Sequence, residues 1–247
     1  MQKQRQLVAG FLTVSVILGA LSAFFLWAAG ILGKPHQTAI PAAAEKVPVI
    51  VLDPGHGGED GGASAADGTL EKELNLTVAE GVYHLLSAAG FDVRMTRTDD
   101  RLLYDLYGDL SDYGGYKKTY DLKNRLRFTR EAEADLFVSI HMNKFPQTNV
   151  RGLQVWHAAV PGSRETAETI RTYAASYLSP EHKRIVKEAT SAIYLLHRIE
   201  IPAVMVECGF LSNGEDLAKL QSEDYRRQLA LTVACAVAAS VTDRAAG

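Results

Sequence analysis

Two kinds of apolar pattern alternate between residues 47 and 243. The first is a short unbroken run rich in β-branched or aromatic side chains. Val49 to Leu52, Phe91 to Met95, Leu136 to Ile140, Leu153 to Trp156 and Ala203 to Val206 are of this kind and predict buried strands. The second is a longer stretch whose apolar residues recur every three or four positions. Leu74, Val78, Val82, Leu85 and Leu86 make one such face, which predicts a helix over Leu74 to Ala89 stopped by Gly90. Asp121 to Ala134, basic and amphipathic, Ser163 to Tyr177 and Glu223 to Val241 predict three more. This alternation predicts an α/β fold with a twisted, mostly parallel sheet covered by helices on both faces.

Two stretches depart from the rhythm. Val8 to Leu32 carries no charged residue and is apolar on every face. At about 1.5 Å per residue it is long enough to cross a hydrocarbon core of roughly 30 Å. Lys3 and Arg5 precede it, so the short tail is expected to stay in the cytoplasm and the remainder to be exported. The run exceeds a usual signal-peptide core, which favours a retained transmembrane anchor, although Pro41-Ala42-Ala43-Ala44 offers small residues to a peptidase. The expected organisation is therefore a tail and signal anchor over 1–33, a linker over 34–46 and a catalytic domain over 47–247. The second departure is Thr98 to Tyr120, where Tyr104, Tyr107, Tyr113, Tyr116 and Tyr120 lie among Asp and Gly residues. So many aromatics argue against simple disorder. They suit saccharide stacking, a protein contact or packing onto the domain itself.

Composition narrows the function. The 247 residues carry 26 Lys+Arg against 29 Asp+Glu, a net charge of −3, which does not suit a nucleic-acid binder. Cys208 and Cys235 lie in apolar stretches outside any CxxC pair, and both read as buried free thiols. Cys208 should point to the sheet face opposite Glu207.

The chemistry sits where the strands end. His56 follows the first strand in Asp53-Pro54-Gly55-His56-Gly57-Gly58. His141 ends the run from Leu136, Glu207 ends the run from Ala203, and Glu71 stands just before the first helix. Sites in open α/β sheets form outside the carboxyl ends of strands, so these four residues can converge. Two imidazoles and a carboxylate are the ligand set of an open catalytic zinc site. A further carboxylate at a strand end can serve as general base toward water.

These motifs resemble a family. Asp53-Pro54-Gly55-His56-Gly57-Gly58, Glu71-Lys72 with Asn75-Leu76, Ser139-Ile140-His141-Met142-Asn143, and Pro202 through Glu207 to Asn213 look like the signature of zinc-dependent N-acetylmuramoyl-L-alanine amidases. The blocks stand in the family's order. The resemblance implies that His56, Glu71 and His141 hold Zn2+ and that Glu207 is catalytic; the register fixed by Asn75 favours Glu71 over Glu73. Met142 and Cys208 depart from the usual pattern without touching a ligand position. The implied reaction is hydrolysis of the amide between the lactyl group of N-acetylmuramic acid and L-alanine in peptidoglycan.

The 247 residues hold no repeated wall-binding module. With the apolar N-terminal run and the segment Gly115-Tyr116-Lys117-Lys118, the layout is similar to the sporulation and germination-specific amidases of endospore formers. Those enzymes strip stem peptides from spore cortex, and a separate deacetylase then helps convert the bared muramic acid to muramic δ-lactam. The implied location is the cell membrane, single-pass, with the catalytic domain on the extracytoplasmic side; in a spore former that is the space between the forespore membranes, and a cleaved anchor would give a secreted enzyme. An accessory protein for activation is left open. The alternatives are a vegetative autolysin, a zinc peptidase acting on the stem peptide and an inactive membrane-tethered wall-binding regulator.

Other residues rank lower. His157 and His197 are candidates for a place near the site, His84 for a structural role, and His36 falls in the linker. Asn143 can orient a ligand or substrate or simply make a turn. Arg125, Arg127 and Arg130 read as a basic helix face, either solvated or facing stem-peptide carboxylates.

Overall fold

A computed structural model describes residues 46–107, 116–179 and 184–246. The apolar run over 8–32, His36 and Tyr113 lie outside the described residues. Among those described, no helix is long and apolar enough to cross a membrane.

The elements follow in the order β1 (Val49–Pro54), α1 (Glu71–Ala88), β2 (Asp92–Met95), α2 (Lys117–Glu131), β3 (Leu136–Asn143), β4 (Gln154–His157), α3 (Ser163–Tyr177), β5 (Lys187–Glu188), α4 (Tyr194–Arg198), β6 (Ala203–Phe210), α5 (Gly214–Gln221) and α6 (Glu223–Ala246). The six strands form one sheet in the order β2-β1-β3-β6-β4-β5. Strands β2, β1, β3 and β6 pair in parallel. Strand β4 runs antiparallel to β6, a local exception to the parallel expectation. The reason lies in its connection: residues 144–153 link β3 to β4 without a helix, and a parallel crossover needs about a dozen residues or more.

Strand alternation sorts the core into two layers. Ile50, Leu52, Val138, Ile140, Val204, Val206 and Cys208 face Val78 and Val82 of α1, Ile170 of α3 and Val233 and Val237 of α6. Val49, Val51, Phe137, Ala203 and Met205 face the other way, against Leu195 and Leu196 of α4 and Leu122, Leu126 and Phe128 of α2. Helices therefore cover both faces. Cys208 is buried on the α1/α6 side as its alternation from Glu207 requires, but Cys235 is exposed on α6, contrary to the sequence expectation.

Helix α2 begins at Lys117, four residues before the sequence pattern places it, and shortens the tyrosine-rich segment accordingly. Three of its cations cap described tyrosines: Lys117 over Tyr104, Lys123 over Tyr120 and Arg127 over Tyr107 at 3.7 Å from the ring centroid. Those rings pack onto their own domain, while Tyr116 is exposed. The closing motif Leu211-Ser212-Asn213 ends in a helix cap. Asn213 Oδ1 accepts from Glu215 N and Asp216 N at the start of α5. Its amide nitrogen donates to Thr148 O, which ties the cap to the loop after β3.

Candidate metal centre

The site forms where β1, β3 and β6, adjacent in the sheet, all end. Residues His141 and Glu207 are register partners across β3 and β6, so they project on the same face, side by side. Past β1 the chain folds back on itself through Gly57 and Asp60, which exchange backbone hydrogen bonds at 2.9 and 3.0 Å. His56 heads this turn with φ 63°, the left-handed region that costs a non-glycine residue about 1–3 kcal/mol. Such strain persists only where surrounding contacts over-determine it.

Glu71 is in the first turn of α1, buried, where the helix dipole favours a negative charge. Its Oε2 accepts from Ala63 N at 2.7 Å and its Oε1 from Met142 N at 3.1 Å. The same Oε1 lies 2.9 Å from His141 Nδ1 and 3.3 Å from His56 Nε2. Asn75, one helical turn on and fully buried, donates to Gly55 O at 3.1 Å and to Glu71 Oε1 at 3.4 Å. Glu73, the competing carboxylate, is exposed on the far side of the helix.

His56, Glu71 and His141 thus offer three ligand atoms that all lie within 4.8 Å of one another. Two glycines let the backbone lie directly against these side chains: a Cβ on Gly55 would fall 2.2 Å from His141 Nε2, and one on Gly62 would fall 2.6 Å from Glu71 Oε2. The two imidazole rings are 5.0 Å apart between centroids, with their planes inclined at 74°. Two imidazoles and a carboxylate fit a divalent cation of zinc type.

Electrostatics mark the same atoms. Burial opposes ionisation of Glu71, but hydrogen bonds and charge from His141 and His56 hold its carboxyl well below the usual carboxylate range. Burial lowers His56, yet Glu71 and Asp60 outweigh it and raise the imidazole above its ordinary value. Asp60 Oδ2 stands 3.0 Å from His56 Nδ1 as its ion-pair partner. Glu207 goes the other way. Burial first, then the neighbouring Glu71 charge, push its carboxyl up to about 8, and its buried Oε2 has no hydrogen-bond partner. A buried carboxylate without a partner costs free energy in folding and is ready to exchange a proton.

Other sequence candidates fall elsewhere. His157 is buried on β4 beside Val204, three residues before Glu207 on β6, with Nδ1 against the carbonyl of its neighbour Ala158. The antiparallel course of β4 puts it there. His197 is exposed on α4, ahead of β6, and His84 is exposed beside Tyr83. Asn143 accepts Leu211 N through its carbonyl. Arg125 is not on a solvated face with Arg127 and Arg130: it is 1% exposed and points into the sheet.

Sequence reasoning overlooked a polar layer beneath the site. Asp53, fully buried at the end of β1, accepts from Arg125 Nη1 at 2.6 Å, Thr96 Oγ1 at 2.7 Å and Ser139 Oγ at 2.7 Å. Burial acts against its ionisation, but the Arg125 guanidinium and these donors hold it below the usual range. Arg97, also buried, donates to Pro54 O, Gly55 O and Lys72 O at 2.8–2.9 Å. The available signal was Asp53 itself, an acid closing an otherwise apolar strand.

The comparisons with known proteins agree with this geometry. The family description "N-acetylmuramoyl-L-alanine amidase" matches residues 50–239. A germination-specific N-acetylmuramoyl-L-alanine amidase of Bacillus subtilis is 33% identical over 195 residues, 75% of this chain and 76% of that one. The B. subtilis amidase LytC is 30% identical over 187 residues, 74% of this chain but 34% of its own. The CwlD amidase of Clostridioides difficile, solved in complex with the GerS lipoprotein, superimposes with a TM-score of 0.73 at 33% identity, covering 79% of this chain and 98% of that one. Residues 50–239 carry both the fold and the motif-bearing strand ends, and on these matches the chain belongs to the N-acetylmuramoyl-L-alanine amidase family.

Proposed function

We propose that this chain is a zinc-dependent amidase that cleaves the bond between N-acetylmuramic acid and L-alanine in peptidoglycan and strips stem peptides from spore cortex ahead of muramic δ-lactam formation. The observation that carries the chemistry is the convergence of His56, Glu71 and His141 beside the half-buried Glu207, whose Oε2 has no hydrogen-bond partner. His56, Glu71 and His141 hold the metal, which supplies Lewis-acid polarisation of the amide carbonyl and acidifies water when bound. Both imidazoles must be neutral to bind, so acid competes with the metal. Glu207 takes a proton from the attacking water and hands it to the leaving amine. Gly55 and Gly62 have no side chain to displace the His141 ring, the His56 ring or the Glu71 carboxylate.

The cortex assignment rests on the germination-specific relative of B. subtilis and on the N-terminal layout. In this reading 1–33 is a cytoplasmic tail and signal anchor, 34–46 a linker and 47–247 the catalytic domain on the extracytoplasmic side. The charge-free run over 8–32, preceded by Lys3 and Arg5, supports it. Because the CwlD relative was solved with a lipoprotein, an accessory protein of that kind belongs to the reading.

Purified full-length protein should hold zinc through dialysis and lose it on His56→Ala. Spores lacking the protein should contain cortex without muramic δ-lactam; normal δ-lactam would remove the cortex role and leave the amidase chemistry standing.

A further inference from the structure

We propose that Arg125 is a positioning residue that pre-forms the metal cradle by fixing the backbone of residues 54–56; this rests on the metal-site reading above.

The guanidinium lies between two carboxylates. Its Nη1 meets Asp53 Oδ1 at 2.6 Å, and its Nε and Nη2 meet Asp121 at 2.8 and 3.3 Å. That leaves further N–H capacity, and it is spent on the loop that carries His56: Nη1 donates to Pro54 O at 3.0 Å and Nη2 to His56 O at 2.8 Å. The carbonyl of Gly55, between these two, is taken by Arg97 and Asn75. Three consecutive carbonyls are therefore held from below by buried donors. His56 is the residue with the left-handed φ, so its peptide needs an external restraint, and Arg125 touches that peptide directly. No hydrogen bond joins Arg125 to the imidazole; it acts through the backbone. A lysine cannot reproduce the arrangement, because one ammonium cannot serve two carboxylates and two carbonyls in a planar fork.

Asp121 extends the restraint. Besides Arg125, it accepts Leu103 N at 2.7 Å, and Asn124 of the same helix donates to Leu103 O at 2.6 Å. The first turns of α2 thus fasten the metal loop and the 101–104 segment to one support.

The test measures zinc affinity of full-length protein by chelator competition, alongside thermal unfolding of the metal-free form. Arg125→Lys should raise the zinc dissociation constant about tenfold or more, as removal of an outer-shell partner does. Val237→Ala, a truncation in the α6 core far from the loop, controls for lost stability and should leave zinc affinity unchanged. A folded Arg125→Lys protein whose affinity is within about twofold of wild type, against that tenfold expectation, overturns the proposal. Should that variant not fold, amide exchange in the wild type decides. Gly55 N donates to Ile140 O and Gly57 N to Asp60 O, and in a pre-formed cradle both stay protected without zinc. Protection that collapses on zinc removal overturns the proposal. If the wild type binds no zinc at all while remaining folded, the metal-site reading itself falls and this inference with it.

Discussion

Two buried charged clusters meet at residues 53–56, and they are built on opposite terms. In the lower one, Asp53, Arg125 and Asp121 are paired, hydrogen-bonded on every side and nearly inaccessible. In the upper one, Glu207 Oε2 is buried with no hydrogen-bond partner, and Glu207 is pushed toward the neutral form. Satisfied charge makes a support; unsatisfied charge makes a reagent. The difference gives each cluster its own signature when disturbed.

The largest effect expected is in the upper cluster. Glu207→Gln removes the proton carrier and should lower the hydrolysis rate roughly 10²–10⁴-fold, read as product released per minute, while zinc content stays that of wild type. Full activity in that variant would move the general base elsewhere. In the lower cluster the effect should be on stability. Asp53→Ala leaves Arg125 with one carboxylate fewer in a dry site and should cost about 3–5 kcal/mol in denaturant unfolding. A loss of activity with unchanged stability would reverse the roles assigned to the two clusters.

Acid and base should separate them as well. In the metal-free protein the folded state raises Glu207 from 4.5 to about 8, so its contribution to stability is intact below 4.5 and falls as pH rises toward 8. The folded state lowers Asp53 from 3.8, so its contribution is present above 3.8 and is lost as pH falls through the lower folded value. Unfolding midpoints followed across pH should show both limbs, and Glu207→Gln should reduce the first, to which the raised His56 also contributes, and leave the second in place. The smallest effect belongs to neither cluster: Asn213→Ala removes the cap of α5 and should cost about 1 kcal/mol with the rate per folded molecule unchanged.

The upper cluster was legible in the sequence because each member interrupts an apolar strand or opens a helix, and such interruptions need a reason. The lower one was not. Arg125 stands on a helix among other charges, and its partner Asp53 is 72 residues away, so nothing local distinguishes it from a solvated arginine. Arg97 is hidden in the same way, 43 residues from the carbonyl it holds. The reversed course of β4 was equally invisible, since a strand's pattern records its burial and not its direction. Two-residue β5 and five-residue α4 are too short to show a period.

The most direct measurement is mass spectrometry of peptidoglycan digested by the purified protein, with and without a zinc chelator. The account predicts free stem peptides that begin with L-alanine, produced only while zinc is present. Cleavage within the stem peptide, or the same products undiminished by the chelator, would contradict it.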